Sequence, residues 1–179
     1  MFTGSNVHLA GGAVFTMLLV AGCVTDLRTR KIPNELVLAI LATGWLFAFA
    51  SPDVWRAFGL SLAGTAVGFG IWIGFYLLGV IGAGDVKFFA AAGAWLGPGA
   101  TWRAALIAAV AGGILAVVFL LSERRLGEAL RRVAMAASSG SLATSPEQTI
   151  VHGVKHRPLP YGVALAIGAL VTAWVPQLS

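Results

Sequence analysis

The chain is a succession of apolar runs, at about 9–25, 35–50, 57–81, 86–97, 102–121 and 159–175, parted by short polar islands. Runs of this kind leave few folds open. A backbone surrounded by hydrocarbon finds no water for its amides and carbonyls, so each segment must satisfy them internally, as a helix does. About 20 apolar residues cross a bilayer core. The expected fold is therefore all-α: an integral membrane protein, a bundle of six transmembrane helices forming one domain over residues 1–179. Only 11% of the residues are charged and the mean hydropathy is +0.87, whereas soluble domains carry about 25% charged residues.

The fourth run is short enough to turn back instead of crossing, and charge decides the matter. With six crossings, Arg28, Arg30, Lys31, Lys87, Arg124, Arg125, Arg131, Arg132, Lys155 and Arg157 share one side, leaving only Arg56 and Arg103 on the other. A fourth run that turned back would move the basic stretch 124–157 across, against the positive-inside rule. Both termini are expected outside. The net charge of +5 does not point to nucleic acid, because the basic residues flank the apolar runs.

Seven residues are acidic, and two of them stand in polar islands on the same expected face. One island reads Asp26-Leu27-Arg28-Thr29-Arg30-Lys31-Ile32-Pro33-Asn34; the other reads Gly82-Ala83-Gly84-Asp85-Val86-Lys87. An ionisable group near hydrocarbon is costly and marks a functional hypothesis. Asp26 ends the first run and Asp85 opens the fourth, so packing can bring them together. Two carboxylates at hydrogen-bonding distance share a proton and titrate as a unit. The ionised member then activates a water while the protonated one polarises or protonates a substrate amide. Such a pair cleaves peptide bonds without a metal or a nucleophilic side chain.

Taken singly, each aspartate has a structural reading, as a helix N-cap or as the solvated partner of nearby arginines. Two non-enzymatic alternatives also stand: a proton-coupled transporter, and an assembly subunit of a secretion machine. Against the transporter, both carboxylates lie at one interface, and no inverted repeat with broken helices is evident.

Gly82 and Gly84 permit unusual backbone dihedrals and the close approach of an extended substrate, and the free amides opening the fourth run favour negative charge at Asp85. Lys87 either supports Asp85 and substrate or snorkels to the interface. Pro33-Asn34 starts the second run, with Asn34 as N-cap. Arg28, Arg30 and Lys31 read as topology and lipid determinants. Gly64-x-x-x-Gly68, Gly70-x-x-x-Gly74 and Gly93-x-x-x-Gly97 allow close helix packing, and Gly97-Pro98-Gly99 is a turn on the outer side.

Cys23 is the only cysteine, which excludes an intrachain disulfide and a multi-cysteine zinc site; it reads as a small buried filler. His152 and His156, with Glu147 the nearest carboxylate, do not make a convincing zinc site. No metal and no cofactor are expected. The tryptophans and tyrosines mostly mark interfaces, with Trp55, Trp102 and Trp174 outside and Tyr161 inside. Residues 123–137 form a basic amphipathic helix suited to anionic lipid, and 138–149 have loop composition.

Taken together, Asp26-x-Arg28-x-x-Lys31-Ile32-Pro33-Asn34 and Gly82-x-Gly84-Asp85-Val86-Lys87 resemble the two signature motifs of the type IV prepilin peptidases, membrane aspartyl proteases of the GxGD kind. Pro160-Tyr161-Gly162 resembles a further recurrent element of that family, and the likeness follows the order of runs over nearly the whole chain. It implies Asp26 and Asp85 as the catalytic dyad, with Gly82, Gly84, Lys87, Pro33 and Asn34 as substrate-binding or supporting residues. It implies type IV prepilin or pseudopilin precursors and membrane lipids as partners. Cleavage would follow a glycine, at the cytoplasmic face of a bacterial inner membrane. With no CxxC pair and few residues ahead of its first run, the chain resembles the short, tight-adherence (Flp pilus) type that lacks the methyltransferase region.

Overall fold

A computed structural model describes residues 6–122 and 161–175. These residues form five α-helices: α1 (Asn6–Thr29), α2 (Asn34–Phe49), α3 (Val54–Leu77), α4 (Ala83–Ser122) and α5 (Tyr161–Trp174). Three contain stretches long and apolar enough to cross a membrane, Ala10–Thr29, Val54–Leu77 and Ala83–Val118, while α2 and α5 are shorter apolar helices. The segments expected at 123–137 and 138–149, together with Glu147, His152 and His156, lie outside the described residues.

α4 is not a single rod. Gly97 takes φ 72° and ψ 170°, a conformation that a side chain would strain. Pro98 follows; its fixed φ and missing N–H suit the first position of a new helix. The Thr101 hydroxyl donates to the Gly97 carbonyl at 2.7 Å. The Thr101 methyl lies 3.3 Å from where a Gly93 Cβ would stand, although residues so far apart on a straight helix are separated by ~12 Å. The arms 83–96 and 98–122 therefore fold back on each other, and the turn expected at Gly97-Pro98-Gly99 is present.

Small residues set the helix spacing. Gly64 on α3 abuts the carbonyl of Gly93, Gly68 abuts Phe89 and Ala90, and Gly168 on α5 abuts Ala104 and Ala108. The Ser61 hydroxyl donates to Ala94 O at 2.6 Å across the α3–α4 contact. Of the glycine pairs expected to pack, Gly70 and Gly74 do not: a Cβ at either would meet nothing within 4 Å. Their side of α3 faces away from the other described helices.

Trp95 plugs the centre of the bundle. Its ring stacks on Phe15 at 5.2 Å and tilts against Phe47 at 5.0 Å, and its indole N–H donates to Ile40 O at 2.9 Å. Trp72 is buried as well and Trp45 is half-buried, packed edge-on against Phe58, while Trp55, Trp102 and Trp174 are exposed.

Several element boundaries differ from expectation: α3 runs from Val54 to Leu77, short of the 81 expected, with Gly79 left-handed just beyond it, and two others move polar islands into helix. α1 continues to Thr29 and stops where Arg30 turns left-handed, φ 54°, with its amide on Asp26 O at 2.8 Å. α4 begins at Ala83, so Gly84 and Asp85 lie in its first turn. Polar side chains reaching water do not stop a helix whose backbone bonds are local. Asn34 is not the N-cap of α2. Pro33 holds that position, with φ −61° and ψ 140°, and Asn34 is the first helical residue.

Candidate active site

The register of α1 on α4 sets the site. Gly22 lies against the ring of Phe88, where any larger residue would collide. One turn onward from Gly22 is Asp26; one turn back from Phe88 is Asp85. The helices run in opposite senses here, so both aspartates reach the same end of the bundle, close enough to interact electrostatically.

Asp26 is 5% exposed. It occupies the last turn of its helix, where a carboxylate faces the negative end of the macrodipole, so nothing local accounts for it. Its partner comes from α5: Asp26 Oδ2 accepts the backbone N–H of Gly162 at 2.9 Å. Arg30, just past the end of α1, acts on it electrostatically.

Asp85 is half-buried and does have a local role. It is the third residue of α4, its Oδ2 accepts the Gly82 N–H at 3.2 Å, and its own N–H donates to Gly82 O at 3.1 Å. The carboxylate reaching back to the N–H ahead of the helix is one half of a capping box; Gly82 has no side chain, and its carbonyl accepts the returning N–H instead. Asp85 thus stabilises the helix start from the third helical position, not from the N-cap position that its structural reading offered.

Gly82 and Gly84 do not use the left-handed φ that glycine permits. Among the described residues the left-handed glycines are Gly79 and Gly97. What the two glycines supply is room. A Cβ on Gly82 would stand 3.3 Å from Asp85 Oδ2, and one on Gly84 would stand 3.7 Å from Ile32 Cβ. Ile32 belongs to the first island, so the two islands touch here. They are also linked by Lys87 Nζ, which donates to Asn34 Oδ1 at 3.5 Å, with both side chains exposed. Pro33 is exposed and makes no side-chain cap bond.

From the sequence, Tyr161 reads as an inner-interface marker and both Tyr161 and Gly162 as part of a family element, and neither has a place in the site. Tyr161 is half-buried, packs its ring over Gly112 and interacts electrostatically with Asp85. Gly162 is the donor to Asp26. A glycine in the first turn of an apolar helix was the available signal. Among the described residues no three His, Cys, Asp or Glu side chains cluster as a metal site. The arrangement is two carboxylates on different helices, one buried and one half-buried, at one end of an apolar bundle. Such a pair is suited to acid–base chemistry on a bound substrate.

Residues 13–117 match the type IV leader peptidase family. Over 171 residues, 94% of the chain, there is 31% identity to a "Prepilin leader peptidase/N-methyltransferase" of Bacillus subtilis (strain 168), covering 56% of that protein. A protein of the same name from Pectobacterium carotovorum subsp. carotovorum is 30% identical over 121 residues, 64% of this chain and 43% of its own. A "Type 4 prepilin-like proteins leader peptide-processing enzyme" of Escherichia coli O78:H11 is 35% identical over 117 residues, 59% of this chain and 41% of its own. The chain thus spans about half the length of these curated relatives or less. No solved structure matches it.

Proposed function

The chain belongs to the type IV leader peptidase family, and from that premise we propose that it is an aspartic endopeptidase that removes the short leader of type IV prepilins, of the Flp kind. In this reading the protein is a single domain of six membrane crossings, with the arms of α4 counted separately. It lies in the bacterial inner membrane with both termini outside and the aspartates at the cytoplasmic face. The leader is cut after a glycine, just ahead of a hydrophobic helix.

What supports this reading is that Asp26 and Asp85, from distant parts of the chain, lie at one end of the bundle within electrostatic reach of each other. One carboxylate is ionised and the other holds the shared proton. The ionised carboxylate takes a proton from water as the oxygen attacks the scissile carbonyl carbon. The protonated one donates to the carbonyl oxygen as it becomes an oxyanion. Collapse of the tetrahedral gem-diol breaks the C–N bond: the proton taken from water passes to the leaving amine, and a gem-diol hydroxyl returns a proton to the other aspartate as the new carboxyl group forms. The pair returns to its singly protonated state with no metal or covalent intermediate. Gly82, Gly84, Pro33 and Asn34 line the approach, and Lys87 supports it from the rim.

The test is co-expression with a Flp-type prepilin, followed by the mass of the pilin product. Wild type is expected to trim the leader after glycine. Asp26→Asn and Asp85→Asn are each expected to leave the precursor whole while still inserting into membranes. Normal trimming by either variant would refute the dyad.

A further inference from the structure

Gly162 has no side chain, and its backbone does not explain why. Its φ is not left-handed, unlike those of Gly79 and Gly97, and glycine in a helix is unfavourable by about 1 kcal/mol relative to alanine. The reason lies across the helix contact. A Cβ at position 162 would stand 2.7 Å from Asp26 Oδ2, 3.1 Å from its Cγ and 3.2 Å from its Cβ. The carboxylate fills the space that a side chain would need, and the bared N–H of Gly162 reaches Oδ2 at 2.9 Å. Gly168, two turns along α5, is a useful contrast. A Cβ there would strike the Ala104 carbonyl, so that glycine serves helix packing. One helix thus carries one glycine turned to a neighbouring backbone and one turned to a carboxylate.

We propose that Gly162 is a positioning residue for the reaction: its amide, at the start of α5, holds the Asp26 carboxylate in the orientation that faces Asp85. Without that bond Asp26 would depend on the last turn of α1, where the helix dipole opposes a negative charge. Next to Gly162, the Tyr161 ring packs on Gly112 in the second arm of α4 and fixes the start of α5. The proposal rests on the peptidase reading above.

The test uses purified full-length protein in nanodiscs, cleaving a purified Flp-type prepilin under steady-state conditions. Gly162→Ala is expected to fold, judged by its thermal melt, and to lose kcat by about a hundredfold, the scale of a 1 Å misplacement of a reacting group. KM should stay within about twofold, because the substrate's ground-state contacts are untouched. Gly168→Ala should lower the melting temperature while its folded fraction keeps the parent kcat. A folded Gly162→Ala with near-parent kcat, or one changed in KM alone, overturns the proposal.

If Gly162→Ala does not fold, glycolate in place of Gly162 removes the N–H and adds no atoms. A loss of about tenfold in kcat is then expected, the worth of one hydrogen bond to a charged group, and an unchanged kcat overturns the proposal. Asp26→Asn and Asp85→Asn run in parallel separate the two claims. Cleavage by both brings down the peptidase reading itself. Their inactivity beside a fully active Gly162 variant brings down only the positioning role.

Discussion

Around Trp95 the contacts are ring on ring and backbone on backbone: Phe15 and Phe47 on the indole, Gly64 on Gly93. Around Asp26 and Asp85 they are single hydrogen bonds between polar groups, Gly162 to Asp26, Gly82 to Asp85 and Lys87 to Asn34. The first region has few alternatives, because close-packed rings and glycines fit one way. The second is held by bonds that are individually modest. The difference separates two tasks along the bundle axis. The interior fixes the register of the helices, and that register delivers two carboxylates to an end that contributes little to holding the bundle together.

This contrast is open to attack from both sides. The largest effect is expected at the polar end: Asp26→Asn or Asp85→Asn should lower leader cleavage by about 10²–10⁴-fold, the range of acid–base catalysis. The unfolding midpoint in detergent should barely move, and a large loss of stability would mean that the site and the core are not separate. Trp95→Ala should do the reverse, costing about 3–5 kcal/mol of stability in denaturant unfolding, while the protein that remains folded still cleaves. Gly64→Ala drives a methyl group into the Gly93 carbonyl and should cost about 1–3 kcal/mol, again without changing turnover by the folded fraction.

The smallest stability effect is expected from Gly84→Ala. Its Cβ meets Ile32 at an ordinary 3.7 Å, so stability should change by no more than about 0.5 kcal/mol. Cleavage should nevertheless fall by about tenfold, because a substrate strand held against this glycine is displaced by a methyl group. Unchanged cleavage by this variant would remove Gly84 from the substrate path.

The helices were legible because hydrocarbon leaves a backbone little choice, and the break at Gly97 because glycine before proline has few regular uses. The end of α1 and the start of α4 were misread since Asp26, Arg28 and Thr29 are polar and Ala83 to Asp85 are polar or small; their helical bonds run to neighbours in the chain and ignore side-chain polarity. The aspartates were legible as ionisable groups in apolar surroundings, and their motifs resembled a family. The role of Gly162 was not, because a glycine in an apolar run reads as packing until the carboxylate opposite it is known, and that carboxylate lies 136 residues away in the chain. Which tryptophans face inward was not legible for the same reason: only the packing shows that Trp72 and Trp95 do.

The central claim is that Asp26 and Asp85 act as one unit on one reaction. Single-turnover cleavage of a Flp-type prepilin by Asp26→Asn, by Asp85→Asn and by the double variant tests it most directly. Residues that act as a unit are not additive. The account predicts that the double variant is no slower than the slower single one. Losses that multiply, or a single variant that cleaves at the parent rate, would contradict it.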